Sequence, residues 1–126
     1  MPTAANIVLN DGTDNHTYGP DSISTGKSIF LNRAAGQSNL ADSIVVERRS
    51  TPSGVSRANV NLNFTLPETN SDTGTITPVA KSQIKFETAF PANVPLAERQ
   101  RIFAIAVDAM ADTLLVAVAR DGEALY

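Results

Sequence analysis

ANVNLNFTLP, residues 58–67, alternates with a period of two: Asn59, Asn61, Asn63 and Thr65 on one parity, Val60, Leu62, Phe64 and Leu66 on the other. Successive side chains of a strand point to opposite faces, so this stretch reads as a strand with one apolar and one polar face. The apolar parity suits a core. The polar parity is unusual, because Asn is a poor strand former. Three amides in register on one wet face call for a reason beyond solubility.

Working outward, Thr51-Pro52-Ser53-Gly54 reads as a turn. It joins the Asn strand to an earlier strand over Ser43–Arg49. Lys27–Asn32 is a further strand candidate, and Ala34–Asn39 a small-residue loop. Asn10-Asp11-Gly12 is a turn signal between a short strand at Ile7–Leu9 and a return arm from His16 to Tyr18. Gly19-Pro20-Asp21 then reads as a break. On the C-terminal side, PETNSDTGTITP (67–78) reads as a polar loop of about a dozen residues, long enough to be functional. Ser82–Phe90 alternates again, with Gln83, Lys85 and Glu87 on one side and Ile84, Phe86 and Phe90 on the other.

After Pro91 the period changes. Ile102, Ile105, Ala106, Ala109 and Met110 recur at helical spacing. Asn93 is the expected cap, with Pro95 in the first turn. Asp112-Thr113 marks a break, and a second helix is expected over Thr113–Arg120, ended near Gly122. The run is apolar on more than one stripe, which predicts burial on several sides. Six or seven strands followed by two helices make an α+β fold with an antiparallel sheet. The 126 residues fit one domain, 1–126, with a sheet region 1–90 and a helical region 91–126.

Composition narrows the function classes. There is no Cys, which excludes disulfides, thiolate zinc sites and thiol catalysis. The N-terminal MPTAANIV lacks the basic and apolar regions of a secretory signal, and no apolar run is long enough for a membrane span, so no membrane partner is expected. Net charge is −3, against a strongly basic nucleic-acid binder. The charge is uneven, however: residues 27–85 carry seven basic and four acidic side chains, so the middle can present a weakly basic face.

Catalytic readings are thin. Ser71-Asp72-Thr73-Gly74-Thr75 matches the aspartic-protease signature, in which two carboxylates from a dimer share a proton. That chemistry wants an apolar strand before the Asp, and PETNS is polar. His16 is the only histidine, with no nucleophile placed beside it. Asp11, Gly12 and Asp14 lack calcium-loop spacing. No cofactor is expected and enzymatic activity is not. Arg48, Arg49 and Arg57 flank one turn, either as a solvated hairpin end or as phosphate contacts.

Taken together, the chain resembles the coat proteins of single-stranded RNA bacteriophages of the levivirus type. AERQRIFAIAVDAMADTLLVAVARDGEALY resembles their helical tail, RRSTPSGVSRANVNLNFTLP their strand–turn–strand unit, and Lys85-Phe86-Glu87 the pattern of their last strand. The resemblance implies an interlocked homodimer with one continuous antiparallel sheet, its helices crossing the partner's sheet. It implies assembly into an icosahedral shell in the bacterial host cytoplasm, a virion location, and no catalysis. It implies that the amide face meets single-stranded genomic RNA and binds an operator hairpin as a translational repressor. On this resemblance the RNA-binding residues are Lys27, Arg49, Asn59, Asn61, Asn63, Gln83, Lys85 and Glu87. A one-residue slip in the Ser43–Arg49 strand would exchange Arg48 for Arg49. The 67–78 loop, with Pro67, Thr73, Gly74 and Pro78, would make contacts between subunits. Two alternatives are a small non-viral α+β binding domain and a dimeric aspartic protease acting through Asp72.

Overall fold

The computed structural model describes residues 5–33 and 41–124. Six strands come first: β1 (Ile7–Asn10), β2 (Asn15–Ile23), β3 (Lys27–Asn32), β4 (Asp42–Ser50), β5 (Ser56–Thr69) and β6 (Ile76–Phe90). They form one sheet in simple chain order, and the paired strands β1 to β5 run antiparallel. Two helices follow, α1 (Leu96–Ala109) and α2 (Thr113–Asp121). The α+β class is as the sequence pattern predicts. The chain divides into two compact units, Met1–Ala89 and Phe90–Tyr126.

Within the sheet unit, register follows the alternation. Ile44 lies opposite Leu62 and Val46 opposite Val60, while Phe30 lies opposite Ile44. Cross-strand partners share a face, so these residues collect on one side. Tyr18, Phe30 and Ile44 are buried there, with Ile7, Val46, Val60 and Leu62 packed around them. The core of this unit is small.

Turn chemistry sets the connections. The β1–β2 turn is closed by side chains: Asp11 Oδ1 accepts from the amides of Thr13 and Asp14, both at 2.8 Å, and Asn10 Oδ1 accepts from Gly12 N at 2.7 Å. Gly12 takes the left-handed conformation that this turn demands (φ 102°). The break expected at Gly19-Pro20-Asp21 is instead an irregularity inside β2, where the register shifts between Pro20 and Ser22. A bulge is where a strand tolerates a residue that lacks an N–H. The Ala34–Asn39 loop lies outside the described residues.

The long loop expected over 67–78 is a correction. β5 runs on to Thr69 and β6 starts at Ile76, so Pro67 and Pro78 sit in strands and only residues 70–75 connect them. Asn70 N donates to Thr75 O (2.8 Å) and Gly74 N donates to Asn70 O (2.7 Å), which closes a tight tip. The last β4–β5 pair is Ser43 with Asn63, and Thr65 N donates to the Asp42 side chain at 3.0 Å. Beyond this point β5 has left β4, so a missing N–H at Pro67 breaks no β4–β5 ladder bond.

In the helical unit, Pro95 rather than Asn93 stands at the N-cap of α1, with no side-chain cap. The Arg99 side chain fixes the entry instead: its Nε donates to Val94 O at 3.1 Å, and its guanidinium lies 5.7 Å from the Phe90 ring centre. Asp112 caps α2 by accepting from Leu114 N and Leu115 N, and Gly122 ends it in the left-handed conformation (φ 72°). The two helices meet at a 65° bend, and no single helix is long and apolar enough to cross a membrane. The expectation of burial on several sides fails within one chain: no residue of either helix is buried. Ile105 is 57% exposed and Met110 and Leu114 are each 64% exposed.

Candidate functional site

The face of the sheet opposite the Tyr18–Phe30–Ile44 core gathers the polar parity of β3 to β6. Lys27 pairs with Glu47, and Glu47 with Asn59, placing all three in one cross-strand row. The next rows are Val45 with Asn61 and Ser43 with Asn63. At the other end, Arg49 lies directly opposite Arg57. This register resolves the slip left open by the sequence. Arg49 stands on the amide face, whereas Arg48 pairs with Ala58 on the opposite one.

β6 joins the same face through contacts of its side chains. Gln83 Nε2 donates to Asn63 Oδ1 at 3.2 Å, and Arg57 forms an ion pair with Glu87 at 3.2 Å. Lys85 lies between Gln83 and Glu87 on the same parity. All eight residues singled out from the sequence, Lys27, Arg49, Asn59, Asn61, Asn63, Gln83, Lys85 and Glu87, therefore share one face. Pro67, Thr73, Gly74 and Pro78 do not join them; they lie along and at the tip of the β5–β6 hairpin.

Two depressions include residues of this surface. One, of about 240 Å³, is lined by Gly26, Glu47, Arg48, Arg49, Arg57, Ala58 and Asn59. The other, of about 490 Å³, includes Ser43, Asn63, Thr65, Lys81 and Gln83. The sequence alone did not single out Glu47 or Lys81, and offered Arg57 only as a turn-flanking phosphate contact. Their signal was present, since each shares the parity of a selected residue, but only the cross-strand register shows which parities meet.

The electrostatics are mixed. Lys27 approaches Glu47 at 3.9 Å, and Arg57 is held by Glu87. Among the described residues, no carboxylate pairs with Arg49, Lys81 or Lys85. Like charges directly opposite on neighbouring strands repel, so the Arg49–Arg57 pair gains when an anion enters between the two.

The amide row is incompletely satisfied. Asn63 Nδ2 donates to Ser43 Oγ at 3.3 Å and Asn63 Oδ1 accepts from Gln83. The side-chain oxygens of Asn59 and Asn61 are buried with no hydrogen-bond partner. A buried acceptor without a donor costs about 1–3 kcal/mol, and such orphans in a native fold call for a role. These two are spaced two residues apart on one strand.

Nothing in the arrangement supports catalysis. Asp72 sits exposed at the β5–β6 tip, where its backbone N–H donates to Asn70 Oδ1 at 2.9 Å. A protease carboxylate needs a sheltered cleft. His16 faces Asp11 at 2.7 Å. This hydrogen bond raises the imidazole pKa, with smaller contributions from the charges of Asp11, Asp14 and Asp42 against a desolvation effect that lowers it. The same contact, with the amides of Asp14 and Thr13, holds the Asp11 carboxyl well below its usual range. The pair closes a turn and touches no nucleophile. No cluster of three or more metal-ligating side chains occurs among the described residues.

Comparison with known proteins agrees with the geometry. No curated protein matches the sequence. Among solved structures, the virus-like particle of Beihai levi-like virus 21 is 26% identical, with a TM-score of 0.88 over 99% of both chains. The virus-like particle of bacteriophage NT-214 is 19% identical, with a TM-score of 0.86 over 99% of this chain and 100% of that one. The bacteriophage GA capsid protein shares the fold at 16% identity, with a TM-score of 0.74 over 95% and 96% of the two chains. The levivirus coat protein model matches residues 2–126. That family is structural and not enzymatic, which removes the protease and the non-viral binding domain as readings of this sequence. The chain belongs to the levivirus coat protein family.

Proposed function

We propose that this coat protein assembles through interlocked homodimers into an icosahedral shell and packages single-stranded RNA against its amide face. Within that reading, the amide face also binds an operator hairpin and represses translation from it. The observation that carries the RNA reading is the convergence of Lys27, Arg49, Asn59, Asn61, Asn63, Gln83, Lys85 and Glu87 on one face. Unpaired bases are read through their polar edges, and Asn supplies both a donor and an acceptor. Arginine forks suit phosphate oxygens.

Self-association is supported by the uncovered apolar residues. Ile102, Phe103, Ile105, Val107, Met110, Leu114, Leu115 and Val118 are all exposed in the single chain, as are Ile84 and Phe86 on β6. Exposed apolar residues in such numbers mark an interaction site. A second copy that covers it accounts for its composition. The β5–β6 tip, with Thr73 and Gly74, and the flanking Pro67 and Pro78 would make contacts between dimers in the shell. Assembly takes place in the bacterial host cytoplasm, and the mature location is the virion.

Expression of the chain alone in bacteria tests the assembly part. Uniform particles in the soluble fraction by negative-stain electron microscopy, with absorbance showing nucleic acid inside, are the expected result. A small species with no particles over a range of salt concentrations contradicts it. The repressor part is tested by a reporter translated from a start site within the phage's own replicase hairpin, whose output should fall when the coat protein is co-expressed.

A further inference from the structure

Two carboxylates stand among the cations of the amide face. Glu47 is in one row with Lys27 and Asn59, and Glu87 holds Arg57. Both carboxylates are substantially exposed, at 47% and 41%. Exposed pairs of this kind contribute little to folding, so their place on this face asks for another role. We propose that Glu47 and Glu87 set the selectivity of the amide face, by occupying cations that any RNA backbone would otherwise take. The inference rests on the RNA-binding reading above.

Carboxylates and phosphates compete for the same cations. Arg49, Lys81 and Lys85 are open to phosphate, while Lys27 and Arg57 are already engaged by carboxylates. A phosphodiester arriving at Lys27 or Arg57 must break an ion pair and then lies beside the displaced carboxylate. Such like-charge contact is how an interface rejects wrong partners. A base edge meets a different surface. Its amino or imino N–H groups can donate to the exposed carboxylates of Glu47 and Glu87. The face therefore penalises backbone at these two positions and rewards unpaired bases turned toward the sheet. A duplex shows mainly backbone and is the ligand most strongly rejected.

The test uses the full chain freed of co-purified RNA, with Glu47→Gln, Glu87→Gln and the double variant. Glutamine keeps an acceptor oxygen and removes the charge. The probes are a fluorescent unpaired 20-nucleotide RNA and a 20-base-pair RNA duplex, titrated by anisotropy over a range of salt concentrations. The expected result is tighter binding of the duplex by the double variant, by several-fold, with a smaller gain for the unpaired strand. For the unpaired probe, the log–log salt slope should steepen by up to about 0.7 for each cation released to phosphate. Equal or weaker duplex binding by the double variant, or equal gains for both probes, overturns the inference and leaves the RNA-binding face in place. If the wild-type chain binds neither probe even at low salt, both the RNA-binding reading and this inference fall.

Discussion

The sheet unit and the helical unit satisfy their apolar residues in opposite ways. In the sheet, Ile44 is 3% exposed and Tyr18 4%, so the chain covers its own core. In α1 and α2 no residue is buried, although Ile102, Ile105, Val107 and Leu114 are as apolar as anything in the sheet. The sheet unit has a core of its own, though β6 leaves Ile84 and Phe86 bare; the helical unit has none. The amide face adds a third condition, in which polar groups rather than apolar ones are left wanting: the oxygens of Asn59 and Asn61 have no donor. Incomplete satisfaction in a native fold points to a partner, and its chemistry points to which kind. Bare aliphatic residues call for an apolar partner, and unpaired polar groups for a polar one.

Ile105→Asp strikes the uncovered helical unit. An exposed substitution in a monomeric protein usually changes stability by less than about 0.5 kcal/mol. If a second copy covers this residue, the charge abolishes assembly altogether, and particles vanish from electron micrographs. A variant that still forms shells would separate Ile105 from any interface.

Ile44→Ala strikes the core of the sheet unit instead. Removing a buried aliphatic side chain costs about 2–5 kcal/mol. The expected outcome is a lowered thermal midpoint, and particles that form in reduced yield with unaltered shape.

Asn61→Val probes the third condition. It removes an unpartnered buried oxygen and supplies a better strand former. Folding stability should rise by about 1 kcal/mol in denaturant titrations, while RNA affinity falls. A loss of stability would mean that Asn61 is already satisfied within the fold.

The smallest effect lies at the β1–β2 turn. The Asp11 contact raises the His16 pKa, so its stabilisation is full below the ordinary imidazole value and is lost as pH rises through the raised one. Asp11 is shifted downward, so its contribution is present above the ordinary carboxylate value and is lost only as pH falls through the lowered one. Amide exchange at Thr13 and Asp14 should therefore be slowest, after correction for intrinsic rates, between the two ordinary values. An Asp11→Asn variant should lose that dependence.

Much of this was legible in the sequence, for reasons that differ by residue. The alternation in ANVNLNFTLP identifies β5 and its two faces directly, because a strand has a period of two and nothing else about it needs to be known. The helix break at Asp112 was legible because a capping Asp carries its own signal. Arg49 against Arg48 was not settled, since choosing between them needs the pairing of β4 with β5, which is a long-range fact. The same holds for Glu47, whose importance appears only when Lys27 is seen opposite it. Pro67 and Pro78 misled in a different way. Proline argues against a central strand, but these two lie on strand segments near a hairpin tip, where ladder demands are weaker. Asn93 lost the cap position because Arg99 and Phe90 already fix the entry to α1.

The central claim, that the amide face is the surface turned to RNA, is tested most directly by ultraviolet crosslinking of purified RNA-containing particles followed by peptide mass spectrometry. The account predicts crosslinked nucleotides on peptides carrying Lys27, Arg49, Asn59, Asn61 and Lys85. Crosslinks confined to α1, α2 or the β1–β2 turn, with none on β4 to β6, would contradict it.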